Sequence, residues 1–333
     1  EAIGAIIGEI IIVIFGGLTL IFRLPLPFII FIFVLSSLFN CLYSFWQVRN
    51  NFKISIRPLL DKKILRTLFL IALPFALAGI FNRVFSYIDT VLLSKMAGDS
   101  AVGIYGIAYK LTFALQFIPA ALGAALFPAM SSFYISSPEN LKRAFQKSFF
   151  YLALLAVPII FGTIALAPEI ITNLYGVRYD ASILPLQILI VAILFIFLNY
   201  PIGALLNSCD RQKINTANVG VAMLASIILN LALIPNFSYI GSAIAGLLSQ
   251  GLYFLLGFYQ VQKIINLDKI YLAKKIVLIV IASIIMFLLV ISLKGASWLL
   301  AGALGVICYF ALVIFLRIIK LAEVKELFKS TLE

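Results

Sequence analysis

Apolar residues in this chain run on for a membrane's width at a time, broken by short polar punctuation. A spanning helix needs about 20 mostly apolar residues. Ten such runs stand in the sequence, at 3–22, 25–48, 67–94, 101–135, 148–172, 181–207, 214–235, 240–262, 276–293 and 297–319. Strands of a membrane barrel are roughly ten residues long and alternate in polarity, and these runs do neither. The pattern therefore predicts an all-α polytopic membrane protein of about ten transmembrane helices.

The loops between the runs carry the charge, and they carry it unevenly. With ten crossings, one side collects 19 of the 25 Lys and Arg residues, while the other holds only Arg23, Lys95, Arg178 and Lys294. The positive-inside rule makes the basic side cytoplasmic, so both ends of the chain are expected in the cytoplasm. The longest interval, 49–66, contains Arg49, Lys53, Arg57, Lys62, Lys63 and Arg66. It reads as a cytoplasmic linker, either lying on anionic headgroups or serving as topogenic charge alone. It divides the chain into a two-helix piece (1–48), a six-helix piece (67–262) and a last pair of helices with a tail (263–333). The end of that tail, 320–333, alternates charge and leucine in the manner of a short interfacial helix.

Composition narrows the function classes. Apolar residues make up 64% of the chain and charged residues 11%, against about 45–50% and 25% in soluble domains. A water-soluble enzyme and a disordered chain are both excluded. Histidine is absent, which removes imidazole catalysis, ligation and pH sensing. Cys41, Cys209 and Cys308 follow no disulfide or zinc spacing. The net charge of +12 is accounted for by topology, so no nucleic-acid partner is expected. The chain opens on Glu1, already close to an apolar run and without a signal-peptide pattern, and reads as part of a longer gene.

Charge inside the membrane is costly, and each instance is a functional candidate. The third run, Thr67 to Ser94, places Asn82, Arg83, Ser86, Asp89 and Thr90 within an arc of roughly 120°. Leu73, Leu77, Phe81, Val84, Phe85 and Ile88 occupy the far side. Such a helix has a watery cavity on one side and lipid or protein on the other. The fourth run carries Lys110 in a stripe of small residues, Gly103, Gly106, Ala114, Ala121 and Ala124. Arg83 lies about 18 Å of helix from the outer turn and Lys110 roughly 15 Å, so the two cations share a depth. Two readings account for them: a structural one, with either cation paired to Asp89 for packing or Lys110 snorkelling outward along its stem, or a cationic lining for an anionic headgroup such as a diphosphate. The expected substrate-binding set is Arg83, Lys110, Asn82, Ser86 and Asp89.

The remaining polar residues say less. Gln116, Asn199, Asn207, Asn218, Asn230 and Gln250 read as interhelical hydrogen bonds. Glu9 is open between packing and function, and Gly4 and Gly8 form a weak GxxxG. No Walker A loop, GxSxG, HExxH or paired-carboxylate motif occurs. Neither an enzyme nor a cofactor is expected; Na+ or H+ remains as a coupling ion.

The stretch from Leu73 to Tyr134 resembles the seventh and eighth helices of polysaccharide flippases of the multidrug/oligosaccharidyl-lipid/polysaccharide exporter superfamily. The features are Asp89 late in the first helix, Val102, Gly103 and Tyr105 entering the next, Lys110 one turn on, and Phe127-Pro128 near its exit. Leu174-Tyr175-Gly176 with Tyr179 and the segment Ile214 to Gln250 extend the likeness over most of the chain. The resemblance implies a transporter of twelve or fourteen helices, in two six-helix lobes around a cavity that opens alternately to each side. This chain would supply helices five and six, the linker, the whole second lobe and two extra helices, with four more helices upstream. It also implies that cavity cations hold a polyprenyl-diphosphate-linked sugar during crossing. Arg83 and Lys110 join that group by depth and face, not by a strict family motif.

The leading expectation is therefore a flippase. It would move a lipid-linked anionic oligosaccharide from the inner to the outer leaflet of a prokaryotic cell membrane, as a monomer working beside a polysaccharide polymerase and glycosyltransferases. A lipid II flippase lies within the same class. A cation-coupled multidrug exporter of the superfamily predicts a carboxylate-lined cavity instead. A membrane-embedded sugar polymerase would want large outer loops, and these are short.

Overall fold

The computed structural model describes residues 2–52, 62–295 and 297–319, which are helical apart from short turns. The chain divides into two compact units, Glu1–Leu70 and Ile71–Glu333.

In the first unit α1 (Ala2–Ile21) and α2 (Leu26–Phe52) form an antiparallel pair. Arg23 takes a left-handed φ of 50° in the turn, closed by Leu24 N–H donating to the Thr19 carbonyl at 2.9 Å. The helices meet at the Gly4/Gly8 face. The Ser36 hydroxyl donates to the Gly8 carbonyl at 2.9 Å, and a Cβ added at Gly8 would stand 2.9 Å from that same oxygen. The weak GxxxG signal thus marks a real close approach, of the kind small residues permit between membrane helices. Glu9 is exposed.

Helix reaches into both ends of the expected linker, since α2 runs to Phe52 and α3 (Lys62–Ala97) starts at Lys62. Counting apolar residues stops at the first charges, but Lys, Arg and Gln are good helix formers and carry helices past the apolar zone. Residues 53–61 and the tail 320–333 lie outside the described residues.

The second unit continues α3 from Ile71. It adds α4 (Asp99–Ala114), α5 (Phe117–Ser136), α6 (Pro138–Tyr175), a 3-10 turn (Val177–Ser182), α7 (Ile183–Ser208), α8 (Gln212–Val261), α9 (Lys269–Leu293) and α10 (Trp298–Phe315). Helix α7 is apolar over most of its circumference, as suits a central helix, with Gln187, Asn199 and Asn207 among the exceptions. It packs against α4, α5, α6 and α8, with Leu186, Ile193, Phe197 and Leu205 fully buried.

Two elements depart from simple spans. The run 101–135, expected as one helix, breaks at Leu115–Gln116 into α4 and α5. Pro119 supplies the reason: it has no N–H for the Leu115 carbonyl, which accepts from Ile118 N–H instead at 3.2 Å. Helix α8 reverses at Ser238, whose backbone is non-helical (φ 48°, ψ −129°). Past the reversal a Cβ at Gly241 would lie 2.6 Å from the Leu233 carbonyl oxygen. Eight residues of straight helix would separate these positions by about 12 Å, so the chain has doubled back, and the runs 214–235 and 240–262 are separate crossings. Among the described residues eight segments can cross a membrane by length and composition, the reversing α8 being one of them, and Ile6–Thr19 is a shorter apolar stretch. The protein is a multi-pass membrane protein.

The last two helices are fastened to α6. The Tyr309 hydroxyl donates to the Leu154 carbonyl at 2.7 Å. Lys294 Nζ pairs with Glu169 Oε1 at 3.2 Å. Val290, Met286, Ala301 and Val313 share a core with Leu154 and Leu166.

Gly241→Ala is expected to destabilise the protein by ~1–3 kcal/mol, because the new methyl meets backbone that cannot move aside. Gly103→Ala has nothing within 4 Å and is expected to leave stability unchanged or slightly raised. Thermal unfolding of the two variants in detergent checks this; equal behaviour would contradict the reversal at Ser238.

Candidate functional site

The polar face of α3 is held in place by two tyrosines of α4. Asp89 is 6% exposed. Its Oδ2 accepts a hydrogen bond from the Tyr105 hydroxyl, and its Oδ1 accepts from Thr90 N–H at 2.7 Å. One turn away, the Tyr109 hydroxyl donates to the Ser86 carbonyl at 2.8 Å, and its ring stacks on Phe113 with centroids 4.0 Å apart. These bonds define an antiparallel register: Asp89 opposite Tyr105, Ser86 opposite Tyr109. Continuing it places Arg83 level with residues 111–112, within a turn of Lys110, as expected from depth alone.

The two cations stand apart from Asp89. Arg83 and Lys110 are exposed. Among the described residues the ion pairs are Arg143–Glu139 and Lys294–Glu169, so neither cation is paired. The packing alternative, an ion pair with Asp89, is not the arrangement found; hydroxyl and amide donors have taken the carboxylate.

Beside this face lies a cleft of about 490 Å³. Asn82 and Ser86 line it from α3, Gln116 from the α4–α5 break, Asn199, Tyr200 and Asn207 from α7, and Gln250 and Tyr253 from α8, with Phe113 and Phe127 among its apolar walls. Among the described residues no charged side chain lines it. Of the five sequence-predicted site residues, Asn82 and Ser86 reach the cleft and Arg83 and Lys110 do not line it. Asp89 borders a much smaller space of about 20 Å³ with Tyr105, Ser226, Ser249 and Gln250.

Several groups in the cleft are pre-set. Asn82 Nδ2 donates to the Ala78 carbonyl at 2.8 Å. The Tyr253 hydroxyl donates to Asn215 Oδ1 at 3.1 Å, and Asn215 Nδ2 donates to Asn207 Oδ1 at 3.3 Å. Phe85 meets the Tyr253 ring edge-on at 6.4 Å. Asn199 is different: it is 8% exposed, and among the described residues neither its Oδ1 nor its Nδ2 has a hydrogen-bond partner.

The convergence of Gln116, Asn199, Asn207 and Gln250 is what reading the sequence missed. Each looks like an ordinary interhelical amide in its own run. They are spread over the α4–α5 break, α7 and α8, and only the packing of α7 against α5 and α8 reveals that they face one space. The one local signal was Pro119, which turns Gln116 out of the helix.

Comparison with known proteins agrees with this architecture. The solved structure of the lipid II flippase MurJ in an inward closed conformation superposes with a TM-score of 0.73 at 17% identity, covering 95% of this chain and 67% of that one. The probable flippase AglR of Haloferax volcanii is 30% identical over 173 residues, 50% of this chain and 36% of its own length. The lipid II flippase MurJ of Bacillus subtilis is 26% identical over 280 residues, 78% of this chain and 51% of its own length. The chain thus spans about a third to a half of these curated relatives. A family described as polysaccharide biosynthesis protein matches residues 6–184, more than half of the sequence, and the chain belongs to that family.

Proposed function

We propose that the protein acts as a transporter, not an enzyme, flipping a polyprenyl-diphosphate-linked oligosaccharide from the cytoplasmic to the outer leaflet of a prokaryotic cell membrane for polysaccharide export. The observation that carries the reading is the pair of exposed cations, Arg83 and Lys110, which form no ion pair among the described residues. Mid-membrane charge without a protein partner calls for an anionic ligand, and a diphosphate offers one with many acceptor oxygens. Family membership and relatives named as flippases support the substrate class. Lipid II belongs to that class as one possible cargo.

The transport cycle is alternating access, with both ends of this chain cytoplasmic and the basic interval 49–66 on the same side. Glycosyltransferases supply the substrate and a polymerase consumes the product. Energy comes from a Na+ or H+ gradient. Asp89 is the carboxylate that meets the ion, being the one acidic residue buried among the described residues. The alternative, a cation-coupled drug exporter of the same superfamily, expects carboxylates in the cavity; among the described residues none lines the cleft.

In cells deleted for the full-length gene and complemented with variants, Arg83→Ala and Lys110→Ala are each expected to cut polymer export roughly 10- to 100-fold. That is the loss of one charge-assisted bond to phosphate. Radiolabelled sugar in the exported polymer reads the effect, and undiminished export would remove both residues from the site. Asp89→Asn is expected to make the remaining export indifferent to collapse of the ion gradient; export still sensitive to the gradient would place coupling elsewhere.

A further inference from the structure

The cleft's chemistry is unlike that of a phosphate site. Among the described residues its polar groups are amides and hydroxyls with no cation among them, and a diphosphate held by uncharged donors alone would forgo the charge-assisted bonds that make such sites strong. Amides have a different natural partner. Each presents a donor and an acceptor side by side, which matches the paired hydroxyls around a sugar ring. The flat C–H faces of such a ring pack against aromatic walls, and Phe85, Tyr200 and Tyr253 supply them here. A volume of about 490 Å³ falls within the range of about 300–1,000 Å³ usual for small-molecule sites.

Asn199 is the second, independent observation. A buried amide with both polar atoms unpartnered is a penalty on the folded protein, and proteins keep such penalties where function uses them. The residue lines the cleft, its two polar atoms lie just beneath the surface, and a turn of the side chain on cargo binding would present them to ring hydroxyls. Tyr253 is prepared in a complementary way: its proton is committed to Asn215, which leaves the phenolic oxygen to accept.

We propose that this cleft binds a neutral sugar residue of the transported lipid, with Asn199, Gln116 and Gln250 exchanging hydrogen bonds with its hydroxyls and the diphosphate held outside it. The inference rests on the flippase reading and deepens it. It divides the cargo: charge recognition falls to Arg83 and Lys110, glycan recognition to an uncharged pocket in the second unit. Glycan specificity then resides in the cleft.

The test is equilibrium binding to the purified full-length protein in detergent, with two probes: the lipid-linked oligosaccharide extracted from cells lacking the gene, and bare polyprenyl diphosphate. Wild-type protein is expected to bind the sugar-bearing lipid about tenfold more tightly than the bare one, the equivalent of one or two net hydrogen bonds. Asn199→Leu, close to isosteric, is expected to abolish that preference, leave the Kd for the bare lipid unchanged and raise Tm. A merely structural asparagine would lower Tm and leave the preference alone. Gln116→Ala, at the better-exposed α4–α5 break, is expected to narrow the preference too and decides the matter if Asn199→Leu does not fold. An intact preference in these variants, or equal loss for both lipids, overturns the glycan site. Wild-type protein that binds both lipids equally overturns it while leaving the flippase reading standing; wild-type protein that binds neither overturns both.

Discussion

A carboxylate buried among membrane helices must be given partners or it cannot stay, and Asp89 takes its partners from Tyr105 and Thr90. Much of the site's geometry follows from that bond. It fixes the register of α3 on α4, which Tyr109 repeats one turn lower at Ser86. With the register set, Asn82 and Ser86 fall on the cleft, and Arg83 and Lys110 are left at matching depth outside it. Had Asp89 been spent on either cation, that charge would have been offset and only one free cation would remain on this face.

The second constraint is Pro119. By denying the Leu115 carbonyl its ordinary partner it splits one apolar run into two helices and delivers Gln116 to the cleft. The polar lining is otherwise distributed over α3, α7 and α8, so the site exists only while these helices stay packed. A rearrangement of any one of them alters its shape, as the proposed transport cycle would require. Helices α9 and α10 take no part in the lining; their bonds run to α6.

Reading the sequence reached the architecture because membrane solvation leaves so few choices. The apolar runs and the one-sided charge are dictated by the bilayer, and the reversal between 235 and 240 shows as a polar gap. Boundaries were less legible, as at Lys62 and Phe52, since helices outlast their apolar stretches. The α3 stripe was visible because its polar residues share one helix and one period. Asn199 was not, since its meaning depends on Gln116, Gln250 and Tyr253, which come from other helices. Nor could the sequence distinguish an Asp89 paired with a cation from one held by a tyrosine; both satisfy the same periodicity, and only side-chain geometry decides.

The most direct measurement of the central claim is translocation itself. Proteoliposomes would carry the full-length protein and a lipid-linked oligosaccharide labelled on its sugar with a fluorophore that an impermeant reductant bleaches. The account predicts that the inner-leaflet pool, protected in protein-free vesicles, becomes bleachable when the protein is present and an ion gradient is imposed. An inner-leaflet pool that stays protected under those conditions would contradict it.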